Sequence, residues 1–193
     1  HMILLPAKFK ELRSLTLFFD YILWDKKDGF LKSLPLLAEK TLSLEKFELK
    51  AVNCNSLHDE SLEQIAQFLK KAQQLSKLGI KFSAADCISN SGIEEISKAL
   101  NELNKLQVLE WEIIYCKHLT DEFLLKFANN LEKLTNLKAV NFKFEFKDRI
   151  IDCQGQASVI KACKTLEKLE KMHYEVLTIP MLSEIVKAFS NDF

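Results

Sequence analysis

Residues 106–136, LQVLEWEIIYCKHLTDEFLLKFANNLEKLTN, read as one strand, one irregular turn and one helix, and the chain repeats that unit. The unit opens Leu106-x-x-Leu109-x-Trp111-x-Ile113, passes Cys116 and runs on helical spacing into Leu134. Leading leucines of the same pattern stand at Leu12, Leu44, Leu75, Leu106, Leu137 and Leu169, separated by 32, 31, 31, 31 and 32 residues. A fixed period of this size is the mark of a solenoid of stacked units.

Aligned on those leucines, every inward slot is apolar or aromatic. The slots run from Leu15, Leu17 and Phe19 through Phe47, Leu49 and Ala51, then Leu78, Ile80 and Phe82. They continue through Leu109, Trp111 and Ile113, then Val140, Phe142 and Phe144, to Met172, Tyr174 and Val176. Residues two apart share one face of a strand. Stacked repeats therefore set their strands side by side, about 4.8 Å apart, in a parallel sheet. Parallel neighbours need a long crossover, and each repeat holds one helix-length run to supply it.

The pattern resembles the leucine-rich repeat family, and within it the ribonuclease-inhibitor-like subclass, in which each repeat has a strand and a helix. Cys116…Leu119-Thr120-Asp121 looks like its cysteine-containing version. The resemblance implies an α/β leucine-rich-repeat solenoid, a horseshoe of about six strand–helix repeats. Its parallel sheet would line the concave face and its helices the convex face. It treats residues 1–193 as one domain, with 1–11 an N-terminal cap or the remnant of a preceding repeat. It specifies fold far better than function, because such repeats carry many unrelated functions.

Lysine plus arginine and aspartate plus glutamate both number 27, so formal charge is zero. That argues against a general nucleic-acid or membrane-surface binder. Arg13 and Arg149 are the only arginines, which removes most bidentate phosphate ligands. No stretch approaches the ~20 apolar residues of a membrane span, and no secretory signal is visible. Five cysteines, Cys54, Cys87, Cys116, Cys153 and Cys163, without close pairing point to reduced thiols in an intracellular protein.

Strands are predicted over 12–20, 46–52, 77–83 and 171–177. Helices are predicted over about 30–41, with Pro35 shortening or kinking the run, over 60–74, and over 180–190 behind a Thr178 cap. Ser91 and Glu94 have capping-box spacing. The fifth repeat has a longer loop, 147–156, containing Asp148, Arg149, Asp152 and Gly155.

Chemistry is sparse. Cys54-x3-His58 and Cys116-x-His118 contain ligand types, but structural zinc normally takes four ligands in paired short spacings. A Cys–His pair also needs an orienting third group, and no glycine-rich oxyanion or phosphate loop exists. No metal, cofactor or enzymatic activity is expected. The remaining candidate is the outward strand face: Lys46, Glu48, Lys50, Lys77, Lys81, Glu110, Glu112, Lys143, His173 and Glu175. Lys46, Lys50, Lys77 and Lys81 would form a patch of mutually repelling cations, with only Glu48 inside it, beside the acidic pair Glu110 and Glu112; the other reading is a solvated face whose charges pair across strands, Lys81 with Glu112 and Glu112 with Lys143. The expected function is a non-enzymatic scaffold that binds a protein partner there. The alternatives are a nucleic-acid-contacting subunit using the lysines, and a structural segment of a longer array. Raw ends of a repeat array also favour self-association.

Overall fold

The computed structural model describes residues 10–20, 31–54, 57–145 and 153–176. Strand and helix alternate along the chain: β1 (Ser14–Asp20), α1 (Leu34–Lys40), β2 (Lys46–Val52), α2 (Asp59–Lys71), β3 (Lys77–Ser83), α3 (Asn90–Leu100), β4 (Val108–Ile114), α4 (Asp121–Leu131), β5 (Ala139–Glu145), α5 (Cys153–Lys164) and β6 (Lys171–Val176). The six strands form one parallel sheet in sequence order, β1-β2-β3-β4-β5-β6. Six parallel strands alternating with helices make a leucine-rich-repeat-like α/β fold, as the period demanded.

Register follows the leucine alignment. Leu109 lies between Leu78 and Val140, and Trp111 between Ile80 and Phe142. Trp111 and Phe142 are fully buried, and the alternate residues of β4 and β5 face the other way. A slip of one residue would exchange the two faces. Helix faces meet the sheet through aromatic pairs: Phe47 with Phe68 at 4.5 Å, Trp111 with Phe127 at 4.8 Å and Phe127 with Phe142 at 5.3 Å between ring centroids. Such tilted pairs add about 0.5–1.5 kcal/mol each to the area they bury. The helix slots Leu62, Ile65 and Leu69, Ile93, Ile96 and Leu100, and Leu124, Phe127 and Leu131 are all buried. Leu15, Leu17 and Phe19 at one end and Met172 and Tyr174 at the other are only partly buried.

The turns behind β2, β3 and β4 repeat one device. Asn53, Ala84 and Tyr115, one period apart, hold left-handed backbone with φ of 54°, 50° and 56°. Each donates its N–H to the next strand, to Ser83, Ile114 and Glu145 carbonyls at 2.8, 2.9 and 2.7 Å. The bend turns the following residue, Cys54, Ala85 or Cys116, into the core. The cysteines thus occupy a slot that alanine also fills.

Some boundaries differ from the sequence reading. α1 is short, running seven residues behind a 3-10 turn, Leu31–Ser33, because Pro35 sits in its first turn. α5 begins at Cys153, so Gly155 and Gln156 belong to the helix and the fifth loop is shorter than 147–156. Ser91 is not the cap of α3. Ser89 is, its hydroxyl accepting from the Ser91 N–H at 3.1 Å. Asp59 of α2 explains the shift: its carboxylate accepts from the Ser89 N–H at 2.8 Å and the Ser89 hydroxyl at 2.6 Å. Gly92 leaves room for that carboxylate, since a Cβ there would stand 2.4 Å from Asp59 Oδ1. The loop from Tyr21 to Gly29, Asp148, Arg149, Asp152, the Thr178 cap and the 180–190 helix lie outside the described residues.

Candidate functional site

Alternation along the strands places every candidate side chain on the outward face. Lys46, Lys77 and Lys171 stand in the row at the strand starts. Glu48, Glu110 and His173 stand in the middle row, and Lys50, Lys81, Glu112, Lys143 and Glu175 in the far row. Lys46 is beside Lys77 and Lys50 beside Lys81, as the sequence implied.

Of the two readings of this face, the structure has the charge-paired one rather than an uncompensated cation cluster. Glu48 Oε1 is 3.1 Å from the Lys50 ammonium and 3.8 Å from that of Lys81. Glu110 takes Lys77 at 2.5 Å and Lys81 at 3.7 Å, and Glu112 takes Lys81 at 3.8 Å. Lys143 turns to Glu175 at 3.2 Å. Gly79 makes this possible: Glu48 lies over it, so that a Cβ at Gly79 would meet Glu48 Cγ at 3.1 Å. Burial raises the Glu110 pKa, but Lys77 and Lys81 outweigh it and hold the carboxyl below its usual range. Exposed or half-exposed pairs of this kind contribute about 0.2–1 kcal/mol each. Lys46 and His173 remain exposed.

Cys116 and Cys163 are poor nucleophiles. Cys54 and Cys116 are buried, their thiols directed at the Val52 and Ile114 carbonyls at 3.3 and 3.6 Å. Burial pushes the Cys116 pKa up to about 11 and that of Cys163 up to about 12, so neither forms a thiolate at neutral pH. Among the described residues no group of three or more His, Cys, Asp and Glu side chains is placed to hold a metal ion.

Sequence reasoning missed a second surface. At the strand starts runs a polar trough of about 560 Å³, lined by Glu45, Ser76, Gln107 and Lys138 and by turn residues Gln74, Asn104, Lys105, Asn136 and Lys168. Asn136 donates to the Asn104 carbonyl at 2.8 Å, Lys168 to Asn136 Oδ1 at 2.6 Å, and Lys105 to the Gln74 side chain. A signal existed: Glu45, Ser76, Gln107 and Lys138 recur at 31 residues, always polar, immediately before the strand. On the helix side, Asn90 of α3 binds Thr120 at the start of α4, accepting its N–H at 3.0 Å and donating to its hydroxyl at 2.7 Å. Asp59 and Asn90 are also one period apart, which would have exposed this ladder.

No protein-family model matches the chain, and no curated protein matches it in sequence. Solved structures do. The tropomodulin C-terminal domain of Caenorhabditis elegans superposes with a TM-score of 0.59 at 14% identity, over 83% of this chain and 91% of that one. Leiomodin-1 actin-binding site 2 superposes with a TM-score of 0.59 at 14% identity, over 86% of this chain and 87% of that one. Identity this low shows a shared fold alone. It also overturns the assignment to the leucine-rich repeat family in its ribonuclease-inhibitor-like subclass: the neighbours are tropomodulin and leiomodin domains. The error has a physical source. Buried leucines at strand slots and a small residue behind the turn are required wherever strand–helix units stack, so they report the packing and not the family.

Proposed function

We propose that this chain is a non-enzymatic, intracellular protein-binding module, a single repeat domain that presents the outward face of its sheet to a protein partner. One observation carries the reading. Parallel sheets ordinarily have both faces covered. Here the described helices lie on the inward side, and the outward face is left to Lys46, Glu48, Lys50, Lys77, Lys81, Glu110, Glu112, Lys143, His173 and Glu175. Neutralisation of most of those lysines argues against the nucleic-acid alternative, since phosphates would compete with carboxylates already in place. Among the described residues no helix is long and apolar enough to cross a membrane.

Actin is the first partner to test, because leiomodin-1 actin-binding site 2 has this fold. Asn141, exposed in the middle row of β5, allows the face to be blocked without touching an ion pair. The test measures binding to monomeric and filamentous actin, and capture from cell extract, for the wild type, Asn141→Trp and the exposed α2 control Glu63→Trp. The expected result is a partner retained by wild type and Glu63→Trp and lost by Asn141→Trp. Equal binding by both variants would place the site elsewhere, and no binding by any would remove the reading.

A further inference from the structure

We propose that the trough at the strand starts takes an acidic, extended segment of a protein partner. This rests on the protein-binding reading and moves the centre of recognition from the middle of the sheet face to its edge. The lysines divide by position. Lys50, Lys77, Lys81 and Lys143 each have a carboxylate partner within the face. Lys105, Lys138 and Lys168, which line the trough, have none among the described residues, and neither does Lys46 on its lip. Among the described residues the one lining carboxylate, Glu45, is already held by Arg13 at 2.6 Å. A negative segment therefore meets cations held at most by neutral amides at the edge, whereas in the middle of the face it must displace a glutamate.

The rest of the lining suits a polypeptide. Gln74, Asn104, Asn136 and Gln107 place amides among the lysines; those of Gln74 and Asn136 already bond within the trough, and the amides of Asn104 and Gln107 can pair with peptide N–H and C=O groups alike. The trough passes the starts of β2 to β5, three strand spacings or roughly 14 Å. About four extended residues cover that distance. Its volume of about 560 Å³ lies within the usual range for ligand sites. Among the described residues no arginine and no aromatic ring lines it, so they offer neither a bidentate phosphate fork nor a stacking platform for bases.

Fluorescence anisotropy on the whole chain tests this with a labelled peptide of six glutamates flanked by glycines, a six-lysine peptide, and a single-stranded oligothymidine of matched charge. The glutamate peptide should bind, more weakly as salt rises, and the lysine peptide should not. Lys105→Glu with Lys138→Glu should weaken binding about tenfold or more, as reversals at a charge-complementary contact do. Lys138→Arg should retain it, and Lys70→Glu on α2 should leave it unchanged. Unaltered circular dichroism and melting would show that the double variant folds. Oligothymidine binding as tightly as the glutamate peptide, loss from Lys70→Glu equal to that from the trough reversals, or no glutamate-peptide binding would each overturn the proposal. If the trough fails while Asn141→Trp still abolishes capture of a partner, the protein-binding reading survives and only its location at the edge is lost.

Discussion

The two sides of β4 are built from alternate residues of one strand and obey different physics. Inward, Leu109, Trp111 and Ile113 are fully buried and locked between the same slots of β3 and β5. Outward, Glu110 and Glu112 are only half-buried and reach diagonally and sideways for Lys77 and Lys81. The inward side is ruled by volume, where every methylene has neighbours. The outward side is ruled by charge in water, where long side chains choose partners and each choice is worth little. A substitution should therefore cost several times more inward than outward.

The sharpest break is Leu109→Ala. It should destabilise the protein by about 2–5 kcal/mol in chemical denaturation, the usual cost of truncating a buried leucine. Leu78 and Val140 on either side leave the void little room to collapse. A loss under about 0.5 kcal/mol would erase the distinction between the two sides.

Two glycines refine it. Gly92→Ala would drive a Cβ to 2.4 Å from Asp59 Oδ1 and 2.8 Å from Leu62 Cδ1, against the helix packing and the bonds that anchor Ser89. Overpacking of that kind costs about 1–3 kcal/mol. Gly79→Ala on the outward face meets only the flexible Glu48 side chain at 3.1 Å, which can swing away. Its cost should stay below about 1 kcal/mol, in the range of the surface ion pairs it disturbs. Equal melting shifts for the two variants would contradict the contrast.

Ala84→Gly should act in the opposite direction, because alanine at φ 50° bears the left-handed penalty of about 1–2 kcal/mol. Glycine removes it and gives back part through the freer unfolded chain, for a net gain of up to about 1 kcal/mol. A lower melting temperature would show that the Ala84 methyl packs more than it strains.

The smallest effect is electrostatic. Glu110 and Glu94 titrate below the usual carboxylate range, Glu110 through Lys77 and Lys81 despite burial, Glu94 through Lys126 and Lys98. A depressed folded pKa adds stability that is complete above the unfolded value and disappears as pH falls through the folded one. Stability should thus decline on acidification below the ordinary glutamate range, and Glu110→Gln should flatten that decline slightly. A decline as steep in Glu110→Gln as in the wild type would mean that the outward pairs add nothing.

The alternating strand, the 31-residue period and the inward list from Phe47 to Phe144 were legible in the sequence, because a buried slot accepts only apolar side chains and so writes itself into composition. The same feature misled on family: Cys116 and Ala85 fill equivalent slots, and a slot defined by volume does not say which lineage filled it. Of the carboxylates that the outward lysines take, only Glu112 beside Lys81 was legible. Lys81 meets Glu48 only because Gly79 lets that side chain cross a strand, and Lys143 turns from Glu112 to Glu175. The trough was not legible either: its walls come from separate turns some 31 residues apart in the chain, such as Gln74, Lys105 and Asn136. By itself the sequence determined what must be hidden from water, a property of each residue. Only the tertiary structure decided which exposed charges meet, because that depends on distances of a few ångströms between residues a full repeat apart.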